Sequence, residues 1–226
     1  MAKRYFAAAL LIGLFSATAS QAAAVSFYLD QSNRLADGVN YLQVTIADGA
    51  DGAVDFTVSA LQPLLDMAGD NFGIQRFAFN IVGGTATEGR DVTALPSDWR
   101  VRNGGRMAGF GRYDITLNGR GKGDSRQDPL TFSITGVSLD TILSYVDLST
   151  GRSPEGYSFF SAHVAGLNFG SCESANTKKI KSADTSANDC IHSAYFGGTQ
   201  AVPAPPAIWL LGTAVAALAA RRLRRA

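Results

Sequence analysis

The chain is poor in the side chains that do most catalytic and metal-binding work. It has only two histidines, His163 and His192, and two cysteines, Cys172 and Cys190, in 226 residues. Acid–base catalysis by imidazole is thinly provided for. No G-x-S-x-G nucleophile elbow and no H-E-x-x-H pair occurs. The GRGKGDS stretch is not a phosphate-binding loop, because Lys122 is followed by Gly123 and Thr116 stands where the first glycine is required. Charge of one sign is also missing: twenty basic residues face nineteen acidic ones, for a net +1. Nothing in that balance points to nucleic acid, and no motif calls for a cofactor or a metal. An enzymatic reading would rest on paired carboxylates that no motif marks.

Long apolar runs are absent too, and the short ones sit at the two ends. Lys3 and Arg4 precede an apolar stretch from Tyr5 to Phe15, followed by the small residues SATASQAAA. That order is the signature of a secretory signal peptide over residues 1–24. Ala22-Ala23-Ala24 allows cleavage after Ala24, and Ser20-Gln21-Ala22 allows cleavage after Ala22. At the other end, Ala207 to Ala220 is charge-free but fourteen residues long. As a helix it would span about 21 Å against a hydrocarbon core of ~30 Å. Pro203, Pro205 and Pro206 limit its backward extension. Trp209 suits one membrane interface, and Arg221, Arg222, Arg224 and Arg225 suit a cytoplasmic end.

The tail has three parts: Val202-Pro203-x-Pro205, then Trp209-Leu210-Leu211-Gly212, then Arg221-Arg222. Together they resemble the PEP-CTERM sorting signal, which exosortases process in Gram-negative bacteria; Ala204 stands where the name-giving motif has Glu. The opening of the mature segment, VSFYLDQSNRLADGVNYLQVTIAD, also looks like an uncharacterised group of such proteins. The resemblance implies signal peptidase and an exosortase-type membrane enzyme as partners. It further implies export, a temporary C-terminal hold on the membrane with the domain outside the cytoplasm, and a final place at the cell surface or in an extracellular polysaccharide matrix. The charges are arranged to suit. Between Val25 and Gln200 lie all nineteen acidic residues but fourteen of the basic ones, a balance of −5.

What the body has in plenty is period-two patterning. Leu42, Val44 and Ile46 alternate with Gln43 and Thr45, and Phe77 and Phe79 with Ala78 and Asn80. Strands are predicted over 25–30, 39–47, 53–60, 74–82, 111–119, 129–137 and 156–167. Turns are predicted at Asp37-Gly38, Asp48-Gly49, Asp51-Gly52, Gly83-Gly84 and Gly104-Gly105. One short helix is expected where Ser138 would cap LDTILSYV, with Leu139, Ile142, Leu143 and Val146 on one face. The expected fold is a mainly β, antiparallel sandwich or jelly-roll-like single domain over 25–197. A Pro-rich linker and sorting motif would follow over 198–206, then a short transmembrane helix and arginine cluster over 207–226.

Three clusters in the body invite a ligand. Cys172 and Cys190 form an even pair in an exported chain, which reads as a disulfide worth about 3 kcal/mol in the chain-entropy model. The alternative, a Cys2His2 set with His163 and His192, lacks a compact zinc spacing; His163 lies in an apolar run and reads by default as a core histidine. Asp48, Asp51 and Asp55 suggest calcium, but Asp-Gly pairs serve equally as hairpin turns. Arg100, Arg102, Arg106, Arg112, Arg120, Lys122 and Arg126 crowd one glycine-rich stretch opposed only by Asp114 and Asp124. They read as solvated hairpin loops, or as contacts to an anionic polymer, which outside the cell means acidic polysaccharide. The leading expectation is a sorted, non-catalytic surface or matrix protein. A carbohydrate-binding module is the alternative, and a secreted hydrolase the third reading.

Overall fold

The computed structural model describes residues 23–83, 87–120, 123–169 and 191–202. These form β1 (Ala24–Leu29), β2 (Gln31–Ser32), β3 (Leu42–Asp48), β4 (Val54–Ala60), α1 (Gln62–Leu65), β5 (Ala68–Phe79) and β6 (Val92–Thr93). They continue as β7 (Trp99–Met107), β8 (Gly111–Gly119), β9 (Leu130–Ile134), β10 (Phe160–Phe169), β11 (Ile191–Gly198) and β12 (Gln200–Ala201). Two antiparallel sheets result, with orders β12-β1-β3-β4-β9-β6 and β2-β11-β10-β5-β8-β7. The protein is mainly β, as the alternating patterns predict.

Alternation decides the register. Leu42, Val44 and Ile46 of β3, Val54, Phe56 and Val58 of β4, and Leu130, Phe132 and Ile134 of β9 are buried. A slip of one residue would turn each of these sets to solvent, so burial specifies the pairing Val44↔Val58 and Phe56↔Phe132. The second sheet contributes Phe77, Phe79, Ile115, Leu117, Phe160, Ala162 and Phe196 to the same core. Aromatic rings pack within the first sheet and across to the second. Phe56 stacks on Phe132 at 4.6 Å and on Phe79 at 5.3 Å, and Phe27 meets Phe160 at 5.3 Å. Each such pair adds about 0.5–1.5 kcal/mol beyond the area it buries. A second, smaller cluster of Met107, Phe110 and Tyr113 packs with Ala78 and Tyr195.

The turns and the helix depart from expectation in instructive ways. The β3–β4 connection is a 3-10 turn, Ala50–Gly52, with Asp51 and Gly52 at φ of 54° and 75°. Gly104-Gly105 is no turn. It lies inside β7, where Gly104 has φ of 78° and the register with β8 runs unshifted from Asn103↔Ile115 to Gly105↔Tyr113. The expected helix from Ser138 is a 3-10 turn, Ile142–Tyr145, capped by Thr141. Leu139 is 99% exposed with φ of 63°, and Leu143 is 64% exposed, so the supposed apolar stripe never forms. Among the described residues the α-helix is α1, where Pro63 sets the first turn and Leu64 plugs the core. β7 and β11 were not expected as strands. β11 and β12 also occupy 198–201, within the stretch expected as linker.

Residues 1–22 of the signal peptide expected over 1–24, Cys172 and Cys190 of the expected disulfide, Lys122, and the tail from Pro203 to Ala226 lie outside the described residues. Among the described residues no helix is long and apolar enough to cross a membrane.

Candidate anion-binding face

The basic stretch folds as one hairpin rather than two loops. Arg100, Arg102 and Arg106 stand on β7, Arg112 on β8 and Arg120 just beyond it, and all five are exposed. Arg106 and Arg112 are directly opposite each other in the register. Like charges in that position repel. Among the described residues no carboxylate lies within ion-pair distance of any of the five. Between the two facing arginines is a recess of about 380 Å³, lined also by Tyr113, Asp114 and Thr150. The glycines at its floor have a steric purpose. A Cβ on Gly105 would lie 2.2 Å from Cγ2 of Thr116, whose hydroxyl donates to the Gly104 carbonyl at 3.1 Å.

A second basic group sits on the same sheet. Reading the register across the strands, Tyr195, His163, Arg76, Asn118 and Arg100 form one continuous row. Period two sets Arg76 on the face opposite Phe77 and Phe79, away from the main core. His163 shares that face, so it is not the core histidine expected; its ring stacks on Tyr195 with centroids 4.3 Å apart. Arg126 reaches this face from the segment after β8. Its neighbour Gln127 exchanges backbone hydrogen bonds with Ile74 at 2.8 and 3.0 Å, and a Cβ on Gly73 would touch the Arg126 Cβ at 3.1 Å. Gly73, at φ of 148°, admits that close approach. Trp99 holds the same segment by donating Nε1–H to the Ser125 carbonyl at 2.8 Å.

The electrostatics of this second group are one-sided. One Arg126 terminal nitrogen donates to the Asn71 carbonyl at 2.6 Å. The Nε atoms of Arg76 and Arg126 are shielded from solvent and have no hydrogen-bond partner among the described residues. Burial first, then the charges of Arg76 and Arg126, push the His163 imidazole down to about 4, so it is neutral at physiological pH. The small aromatic cluster beside it is also polar at its edge. The Tyr113 hydroxyl is hydrogen-bonded to Ser158, and burial raises its pKa.

Other candidates are dispersed. Asp51 sits in the β3–β4 turn, and the Asp55 carboxylate accepts from the Ser133 hydroxyl at 2.6 Å. Among the described residues no three His, Cys, Asp or Glu side chains gather as a metal site. A recess of about 420 Å³ is rimmed by Glu88, Asp114 and Thr87, but Asp114 is engaged by the Ile81 N–H at 3.1 Å. Arg76 and Tyr195 were not singled out from sequence; the alternation of IQRFAFN, which places Arg76 opposite the phenylalanines, is the signal that marks the first.

The class this defines is a mainly β protein with two paired sheets and an arginine-rich face on the second. No family model matches the chain, and comparisons with curated proteins and with solved structures give no match either.

Proposed function

We propose that this is an exported, exosortase-sorted cell-surface or matrix protein with a non-catalytic β domain. The two sheets are taken as one jelly-roll-like sandwich, carried outside the cell by the N-terminal signal and held briefly by the C-terminal helix and its arginines. The observation that carries this reading is the order of the tail: a Val-Pro-x-Pro segment, a short apolar stretch and an arginine cluster. Its attachment is favourable. β12 pairs with β1, and the Val202 N–H donates to the Ser26 carbonyl at 2.8 Å, immediately before Pro203. Proline has no N–H with which to extend an edge strand. The test is the intact mass of protein recovered from its native host, with the C-terminal peptide sequenced. Loss of everything after the 202–206 region is expected; a mass that retains Trp209 to Ala226 would overturn the sorting.

A second reading, that the domain binds acidic polysaccharide, is favoured by the Arg106–Arg112 opposition, which has no carboxylate partner among the described residues. Guanidinium forks match carboxylates geometrically, and a polyanion relieves the repulsion between the two. Retention on an alginate matrix is expected to fall with salt and to be lost when Arg106 and Arg120 are both changed to Gln. Retention that the double change leaves intact would refute it.

A further inference from the structure

A polar N–H shielded from water normally finds an acceptor, because leaving it unmade is costly. Here two half-buried arginines flank a neutral imidazole, each with a shielded Nε that has no partner among the described residues. Arg76 is opposite His163 in the register, and Arg126 is pinned beside it by the Ile74–Gln127 bonds and the contact with Gly73. Strand register and these backbone bonds fix where both arginines leave the chain, which lowers the cost of bringing them together on a ligand. Tyr195, stacked on His163, adds an apolar ring at the rim, where its amphipathic surface can take the face of a flat or cyclic ligand.

We infer that this face holds one oxyanion carried on a sugar, a uronic-acid carboxylate, between Arg76 and Arg126, with the stacked His163–Tyr195 pair against the sugar ring. The inference rests on the acidic-polysaccharide reading and gives it a particular recognition unit, separate from the exposed arginines of the β7–β8 hairpin. Those supply attraction at a distance; this site supplies the orientation. A carboxylate there satisfies the idle donors and, being negative, favours the imidazolium form of His163 against the two cations that suppress it.

The experiment is a titration of the full chain with glucuronate, glucose and inorganic sulfate. It is followed by the ring resonances of His163, which a His192→Gln variant assigns. Glucuronate is expected to shift those resonances saturably and to raise the His163 pKa by about one unit, while glucose does neither. Arg76→Gln and Arg126→Gln should each weaken glucuronate binding tenfold or more. Arg76→Lys, which keeps the charge and loses the fork, should weaken it less than Arg76→Gln. Melting curves of the three variants check that each is folded, and the wild-type titration stands whether or not they are. Absence of a glucuronate shift in the wild type, or equal affinity in wild type and both Gln variants, overturns the site. A response to sulfate with none to glucuronate overturns the sugar-acid assignment. Polymer retention that depends on Arg106 and Arg120 while glucuronate fails to bind would remove this site and leave the broader reading standing; loss of both would remove both.

Discussion

Gly198 ends β11 opposite Phe160, and the chain then passes into β12 against β1. A methyl group at this position would sit 2.1 Å from the Tyr28 carbonyl oxygen and 2.9 Å from the Leu29 Cα. Both obstacles are backbone. Tyr28 is paired on one side with Gln200 and on the other with Gln43, so β1 cannot step aside without losing ladder bonds on both flanks. Overpacking of a close site costs about 1–3 kcal/mol and sometimes more. With no flexible side chain to yield, Gly198→Ala belongs near ~3 kcal/mol. In a domain of this size each kcal/mol moves Tm by about 2–4 °C, which gives a fall of roughly 6–12 °C. Gly83→Ala is the matched control, since no heavy atom of the described residues lies within 4 Å of its added Cβ. That change should be neutral or raise stability by up to about 1 kcal/mol through the unfolded state. Thermal melts followed by circular dichroism, run side by side, decide the matter. A Gly198→Ala protein melting within about 2 °C of wild type would refute the close crossing of β11 over β1, on the same scale of 2–4 °C per kcal/mol.

Three other outcomes follow from the same structure. The His163 pKa is depressed from 6.5 to about 4 by burial and by Arg76 and Arg126, the charged groups that face it. The unfolded chain therefore takes the proton more readily, and stability is full above about pH 6.5 and declines as the pH falls toward 4. Discounted for partial exposure, the loss is about 2 kcal/mol; urea melts of His163→Phe, which keeps a ring on Tyr195, should show a flatter slope between pH 7 and 4.5, and an unchanged slope counts against the assignment. Trp99→Phe strands the buried Ser125 carbonyl and should cost about 1–3 kcal/mol in urea unfolding, while loosening the neighbouring Arg126; wild-type stability would contradict this. At the N-terminus, the Ala23 carbonyl accepts from the Asp48 N–H at 3.0 Å and Ala24 pairs with Ala47, so cleavage after Ala22 preserves β1 whole. N-terminal sequencing of exported protein should begin at Ala23, and a start at Val25 would refute the expectation.

Most of the β architecture was legible because burial on one face writes itself into every second residue. β3, β4, β8 and β9 were all found that way, within a few residues at their ends. β7 was not. WRVRNGGRM has few apolar positions, since the strand lies at the edge of its sheet and most of its side chains face water. Its glycine pair then reads as a turn, whereas Gly104 takes a positive φ within the strand and the chain turns only after Met107. The helix error has a related origin. Leu139, Ile142, Leu143 and Val146 are spaced for a helical stripe, but Leu139 and Leu143 face solvent, and only Ile142 is buried, with Val146 partly so. Tyr145 is the anchor that the periodicity missed. Its hydroxyl donates to the Asp140 carboxylate at 2.5 Å and meets the Thr87 hydroxyl at 3.1 Å, which ties the segment down as a tight 3-10 turn.

The basic face was half legible, and the missing half is the more selective one. Clustering along the chain finds Arg100 to Arg126 at once, because a hairpin keeps neighbours in sequence close in space. It cannot find Arg76, which arrives from β5, or Tyr195, which arrives from β11 across two strand pairings. Sheets gather such residues by register, and register is fixed by the buried face, not by the residues that use the exposed one. The phenylalanines at 77 and 79 therefore determine where Arg76 stands, and Phe160 and Ala162 do the same for His163. A mutation on the core face that shifted β5 by one residue would destroy the basic row without touching any member of it. The basic face is in that sense a consequence of the aromatic core, and under the proposed site variants that loosen the core should lose glucuronate binding before they lose the exposed arginines' attraction for polymer.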